Sequence, residues 1–78
     1  MKVVIAKVDQ NFFDGEAESL TVPGSAGQMT ILSHHMPLIT TLKEGVIIVR
    51  PDKESEPLQL PIESGILEVN QGGATVIL

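Results

Sequence analysis

Residues 13–45, FDGEAESLTVPGSAGQMTILSHHMPLITTLKEG, decide the fold. In Ala17–Val22, Glu18, Leu20 and Val22 alternate with Ala17, Ser19 and Thr21, so one face is mostly apolar and the other small or polar. That period of two is the signature of a half-buried strand. Pro23-Gly24-Ser25-Ala26-Gly27 breaks the pattern, Gln28–Leu32 resumes it, and Ser33–Pro37 reads as a loop because the residue before Pro37 is pushed out of the helical region. Asp14-Gly15 is the strongest hairpin signal, since glycine supplies the positive φ of a tight turn. Leu38–Leu42 is a short apolar strand, and Lys43-Glu44-Gly45 is a turn.

The same grammar continues outward on both sides. Lys2–Val8 leads through Asp9-Gln10-Asn11 into Phe12-Phe13. Val46–Arg50 has a VIIV centre, apolar on both faces and therefore expected to be covered on both sides, by its own fold or by a partner. Pro51–Pro57 (PDKESEP) reads as an exposed hairpin tip. Leu58–Ile62 carries Pro61, which argues for an edge strand. Gly65–Val69, a turn at Asn70–Gly73 and Ala74–Leu78 complete the series. No apolar stripe at helical spacing runs long enough for a stable helix. The prediction is one all-β domain over residues 1–78, a β-sandwich or flattened barrel. Its last run ends at Ile77-Leu78 inside an apolar strand, which predicts a strand pinned within the sheet or more chain beyond it.

The chain has 78 residues, 42% of them hydrophobic, and a mean hydropathy of +0.23. Two phenylalanines are its only aromatics, so the core must be built from Val, Ile and Leu. A chain of this size buries only roughly 60–65% of the surface its unfolded form exposes. The net charge is −5, and Lys2, Lys7, Lys43, Arg50 and Lys53 are scattered along the sequence. Nucleic acid is disfavoured, because phosphate binding needs clustered cations to displace counterions. An anionic membrane surface is disfavoured for the same reason. There is no cysteine, hence no disulfide and no thiol chemistry. No apolar run approaches the ~18 residues of a membrane-spanning helix, so no direct membrane insertion is expected.

The groups able to do chemistry are few. His34-His35 would need three or four converging ligands to hold zinc, with carboxylates standing in for absent thiolates. Adjacent residues of an extended chain also point in opposite directions, so a loop histidine facing backbone or a partner is the better reading. Ser33 beside His34 is a sequence neighbour pair and lacks an orienting acid and an oxyanion hole. Glu16, Glu18, Asp52, Glu54 and Glu56 fall at turns or on solvent faces, and a small aliphatic sandwich has little room for a pocket that would pair them. Gly24-Ser25-Ala26-Gly27 matches GxxG, yet the helices and basic character of a KH domain are missing. Asp52-Lys53-Glu54 superficially resembles the modified-lysine turn of lipoyl and biotinyl carriers. Ser55-Glu56-Pro57 does not continue that pattern, so a stand-alone carrier or adaptor with Lys53 at a hairpin tip is the alternative reading. No catalytic residue, metal site, cofactor or small-molecule ligand is expected.

Phe13–Gly24, FDGEAESLTVPG, resembles the F-x-G-E-A-E-S-V-T-V-P-G opening of bacterial and chloroplast ATP synthase epsilon subunits. Gly27, Ile31-Leu32 and His35–Thr40 are similar to that family's G-E-x-G-I-L-P-G-H-A-P-L-L-T segment. Leu42-Lys43 and Gly45-Val46 follow its L-K-P-G-V. Ser64–Val69 and Ala74–Leu78 resemble its G-G-F-L-E-V and V-T-V-L. The likeness covers almost the whole chain in order.

That resemblance implies a ten-stranded β-sandwich of two five-stranded sheets. It also implies a non-catalytic subunit at the foot of the rotor, in the central stalk, against the gamma subunit and the c-ring. There it would support assembly and coupling of proton-driven ATP synthesis. The segment around Gln28-Met29 matches the family's ring-facing loop, and His35 and Thr40 match the side associated with gamma. The implied location is peripheral, on the cytoplasmic face of the inner membrane, as part of the F1 sector. The two-helix C-terminal domain that such subunits usually carry has no counterpart in these residues. On that basis neither an inhibitory arm nor its nucleotide site is expected. Three local departures stand out. The family's Pro-Gly before the histidine is Ser33-His34, which leaves that loop free to take a different shape. Gln28 replaces the usual acid of the ring-facing loop, and Glu63-Ser64-Gly65 replaces Ser-Gly-Gly.

Overall fold

The computed structural model describes all residues from Met1 to Leu78. The alternating pattern folds as nine strands and no helix: β1 (Lys2–Lys7), β2 (Gln10–Glu16), β3 (Ser19–Gly24), β4 (Gly27–Leu32), β5 (Leu38–Leu42), β6 (Gly45–Arg50), β7 (Leu58–Ile62), β8 (Gly65–Asn70) and β9 (Gly73–Ile77). The hydrogen-bonded order is β2-β1-β9-β8-β5-β3-β6-β7, with β4 on the other edge of β3. All neighbours are antiparallel except β1 and β9.

Between β5 and β3 the only paired residues are Leu42 and Gly24. That narrow join divides the path into a five-stranded layer, β2-β1-β9-β8-β5, and a four-stranded layer, β4-β3-β6-β7. The all-β sandwich expectation holds at that level. The strand count does not, since nine strands stand in place of ten and the layers hold five and four rather than five each.

Inward-facing side chains of both layers form one core of 14 buried residues, all aliphatic. Val3 and Ile5 of β1, Leu20 and Val22 of β3, Ile47 and Val49 of β6, and Leu67 and Val76 of β8 and β9 have no exposed surface. Burying each such side chain contributes roughly 1.5–3 kcal/mol. No polar or charged residue is buried, so core stability rests on apolar burial alone.

Four local expectations change. Asp14 and Gly15 are not a turn: they lie inside β2, opposite Val4 and Val3. The β1–β2 turn is Val8-Asp9 instead, with Lys7 opposite Gln10. Phe13 packs inward opposite Ile5, and a Cβ on Gly15 would sit 3.8 Å from the Phe13 ring. That is ordinary van der Waals distance, so neither a turn nor crowding by the ring requires glycine at this position.

Pro23 and Gly24 likewise continue β3, and the turn shrinks to Ser25-Ala26. One edge of β3 pairs β6 over Ser19–Thr21 and β5 at Gly24. Pro23 falls where that edge passes from one neighbour to the other, a position that tolerates a missing N–H. The third change concerns what the resemblance implies at Gln28 and Met29: both lie in strand β4, as the Gln28–Leu32 pattern predicts, and not in a loop. Finally, β6 is covered by its own fold on one side only: Ile47 and Val49 are fully buried while Val46 remains 42% exposed. The expectation for Pro61 holds, because β7 ends the path.

Candidate docking ends

Strand directions sort the connections into two groups at opposite ends of the sandwich. At one end lie the Val8-Asp9, Ser25-Ala26, Lys43-Glu44 and Glu63-Ser64 turns. At the other lie Ala17-Glu18 and the segments Ser33–Pro37, Pro51–Pro57 and Gln71-Gly72. The molecule measures 28 × 24 × 23 Å, so both ends are within reach of two partners at once.

Gln28 and Met29 belong to the first end. Gln28 is exposed on the outer face opposite Pro23, whereas Met29 faces inward opposite Val22 and is half-buried against the core. Alternation along β4 thus splits this pair: Gln28 is free to meet a partner, and Met29 is mainly a core-rim residue. The Ser25 tip beside them is fastened to β5. Ser25 Oγ lies 2.7 Å from Thr41 Oγ1 and donates to Thr41 O at 3.1 Å, while Ser25 N donates to the same carbonyl at 3.0 Å. Lys43 N donates to Pro23 O at 2.9 Å. These bonds make that end a cross-linked platform.

His35 belongs to the opposite end. It is exposed, its Nδ1 lies 2.8 Å from the accepting Met36 carbonyl, and its N–H donates to Leu32 O at 3.2 Å. The last bond closes a four-residue turn, Leu32-Ser33-His34-His35. Its third residue, His34, has φ +69° and is the only non-glycine residue with positive φ. Negative φ at Ser33 followed by positive φ at His34 is the type II pattern, which favours proline and then glycine. The loop thus keeps the backbone shape that Pro-Gly prefers, with histidine carrying the strain at a glycine position.

Thr40 is not beside His35. It sits in mid-β5, half-buried, opposite the fully buried Leu67, and its Oγ1 donates weakly to Thr41 O at 3.4 Å. The four residues singled out in the sequence therefore do not form one site. Gln28, near the start of β4, and His35, past its end, are separated by a Gln28–Leu32 span of about 13 Å at ~3.3 Å per residue.

A cleft of about 620 Å³ lies at the His35 end between Leu32–Pro37 and Val69–Gly73. It holds both histidines, but no buried polar side chain lines it, so nothing there is arranged to strip water from a reacting group. No group of three or more His, Asp or Glu residues converges as a metal site. Lys53 is exposed on the Pro51–Pro57 connection. The neighbouring Asp52 folds that connection on itself: Oδ1 accepts from Glu54 N and Ser55 N at 2.8 and 2.6 Å, and Oδ2 from Ser55 Oγ at 3.0 Å. The Ser55 backbone bond foremost, then the Ser55 hydroxyl and the Glu54 N–H, hold its carboxyl below the ordinary aspartate range.

One surface lies outside the residues that the sequence singles out. On the outer face of the five-stranded layer Ile39, Ile66 and Ile77 are 74%, 48% and 58% exposed. Ile66 pairs Ile77, and Ile39 lies diagonally across from Ile66. The signal was present in β5, β8 and β9, where both alternating sets are partly apolar.

The family model of the beta-sandwich domain of the ATP synthase delta/epsilon chain matches residues 1–78. The ATP synthase epsilon chain of Herminiimonas arsenicoxydans is 35% identical over 77 residues, covering 99% of this chain and 55% of the relative. ATP synthase epsilon chain 2 of Burkholderia orbicola is 35% identical over 77 residues, covering 99% and 51%. The chain thus spans about half the length of the curated relatives it matches. Among solved structures, a chain in the Euglena gracilis mitochondrial ATP synthase (OSCP/F1/c-ring) superposes with a TM-score of 0.85 at 21% identity, covering 96% of this chain and 48% of that one. A chain in the central stalk/c-ring of the Tetrahymena thermophila enzyme gives 0.81 at 14% identity, covering 99% and 61%. At those identities the likeness is one of fold.

Proposed function

We propose that this chain, which belongs to the ATP synthase delta/epsilon β-sandwich family, is the β-sandwich of an epsilon subunit in the central stalk of an F-type ATP synthase. It is a non-catalytic part of the rotor, docked on the gamma subunit and the c-ring, and it supports assembly and coupling of proton-driven ATP synthesis. Its place is peripheral, within the F1 sector at the cytoplasmic face of the inner membrane. The observation that carries this reading beyond family membership is the opposition of Gln28 and His35 across one hydrogen-bonded layer. A body with a dry aliphatic core and two polar ends suits transmission between two partners better than chemistry.

On this reading the Gln28 end meets the ring and the His35 end meets gamma. Thr40 acts by holding β5 in place, and Met29 by supporting the rim under Gln28. Gel filtration with a gamma-containing complex depleted of its own epsilon tests it. Co-elution is expected, weakened by His35→Ala and little changed by Gln28→Ala. Gln28→Ala should instead weaken retention by a complex that includes the c-ring. A folded wild-type chain that fails to co-elute would sink the proposal.

A further inference from the structure

Strand edges are open at β2 and β7, which end the hydrogen-bonded path, along the free side of β4, and along Leu38–Thr41 of β5, a five-residue strand that follows Pro37. An unprotected edge invites another strand, and soluble proteins blunt edges with bulges, charges, prolines or short length. β2 has a register break opposite Ile5/Ala6 and carries Asp14 and Glu16. β7 has five residues, contains Pro61 and follows Pro57. β4, GQMTIL, has no charge, no proline and an unbroken register against β3 from Gly27 to Leu32. It alone lacks every one of these protections.

We propose that β4 pairs antiparallel with β4 of a second copy of this chain, about a twofold axis at Thr30. The sequence is self-complementary in that register. Thr30 meets the second copy's Thr30 and Gln28 meets its Leu32 on the outer face, while Met29 meets its Ile31 on the inner face. Centring one residue earlier would set Gly27 against Ile31 and leave the apolar row unfilled. The outer row already runs Gln59-Ile48-Thr21-Thr30, with Thr21 and Thr30 hydroxyls 3.0 Å apart. Pairing continues that row through the second copy without setting like charges opposite each other, the arrangement cross-strand pairs favour. The two four-stranded layers become one sheet across the seam, closed by the twofold so that no further copy adds there.

Opposing this is the −5 charge of each copy. Raising ionic strength from about 0.01 M to about 0.15 M shortens the screening length from about 30 Å to about 8 Å, so the dimer strengthens with salt. An interface of one short strand pair belongs to the weak, reversible class.

The absence of native cysteine makes single-cysteine crosslinking the direct test. Facing Cα atoms of an antiparallel pair are about 4.5–5.5 Å apart, inside the ~4.4–6.8 Å range of disulfides. Thr30→Cys should give a disulfide dimer as its major product under mild oxidation, against little from Lys53→Cys on the exposed β6–β7 connection. Gln28→Cys and Leu32→Cys should each crosslink poorly alone and well when mixed. Sedimentation of the unmodified chain should show a dimer that grows with salt and is lost in Thr30→Lys, which sets two ammonium groups opposite each other across the seam and leaves each exposed in the monomer. Equal crosslinking of Thr30→Cys and Lys53→Cys, or a wild-type monomer at every concentration and salt level, overturns the proposal. Poor crosslinking of the Gln28→Cys and Leu32→Cys mixture overturns the register.

Discussion

Gly27 and Gly73 share an unusual backbone, with φ of +138° and +135°, and differ in what surrounds them. A Cβ at Gly27 would meet nothing within 4 Å, whereas one at Gly73 would run into the carbonyl of Lys2, its partner on β1. The two alanine substitutions therefore share a strain cost and differ by a steric one. Holding a non-glycine residue in that region costs about 1–3 kcal/mol, and overpacking adds typically about 1–3 kcal/mol more. Gly27→Ala should lose about 2 kcal/mol and Gly73→Ala about 4 kcal/mol. The second figure is large against the roughly 4–12 kcal/mol expected for a domain of this size. It has to be paid at the parallel β1–β9 ladder, because the obstacle is backbone and cannot swing away. Urea unfolding measures both. With an m-value of about 1 kcal/mol/M, the midpoints should fall by about 2 M and about 4 M. Gly15→Ala is the control, since Gly15 has no positive φ and its Cβ would make ordinary contact with Phe13 at 3.8 Å; its midpoint should stay within about 0.5 M, because a compatible Gly→Ala change is neutral to mildly stabilising. Equal losses at Gly27 and Gly73 would refute the steric reasoning, and a loss at Gly15 as large as that at Gly27 would refute the strain reasoning.

Three further outcomes follow from other parts of the fold. His34→Gly relieves the left-handed strain at φ +69°, worth about 1–2 kcal/mol, less the 0.4–1 kcal/mol or so of unfolded-chain freedom that glycine adds; thermal unfolding should show a gain between about 0 and about 1.6 kcal/mol, and a loss would mean the turn is held by the imidazole. Ile47→Ala, at a fully buried position, should cost about 2–5 kcal/mol, while Ile39→Ser on the exposed outer face should stay within about 0.5 kcal/mol; comparable costs would show that the Ile39 face is covered in solution. Asp52 has its carboxyl held below the ordinary aspartate range in the folded chain, so its contribution is present above the unfolded-state pKa and is lost as pH falls through the folded one. An NMR titration should place its midpoint below that of an unstructured aspartate, Asp52→Asn should remove this part of the acid limb, and a midpoint at or above the unstructured value would contradict the turn geometry.

Much of this fold was legible because it rests on alternation. Leu20/Val22, Ile47/Val49 and Leu67/Val69 show a period of two in the sequence and occupy the core in the structure. Turn residues were less reliable, since glycine and proline serve more than turning. Gly15 lies within a regular strand, and Pro23 occupies a break in a ladder. The true β1–β2 turn, Val8-Asp9, contains neither residue type, and Val8 is fully exposed at its tip. The candidate site was legible residue by residue but not as an arrangement. Adjacent Gln28 and Met29 look equivalent in a string and point to opposite sides of a strand. His35 and Thr40 look close and are separated by the turn from an exposed loop into a packed strand.

One strand therefore carries several of these assignments at once. β4 presents Gln28 at one end of the body, delivers the chain to the His35 turn at the other, and keeps a free edge between them. Hydrogen bonds to β3 along its whole length make it a stiff link, as the two-ended docking proposed above would require. The same regularity is what leaves the edge attractive to another strand, since a bulge, proline or inward charge that blunted it would also bend or soften the link. In the self-paired form Gln28 lies in the seam beside the second copy's Leu32. Self-pairing and docking through the Gln28 end then exclude each other. On the docking proposed above, a partner at the Gln28 end and a second copy would compete for the same part of β4.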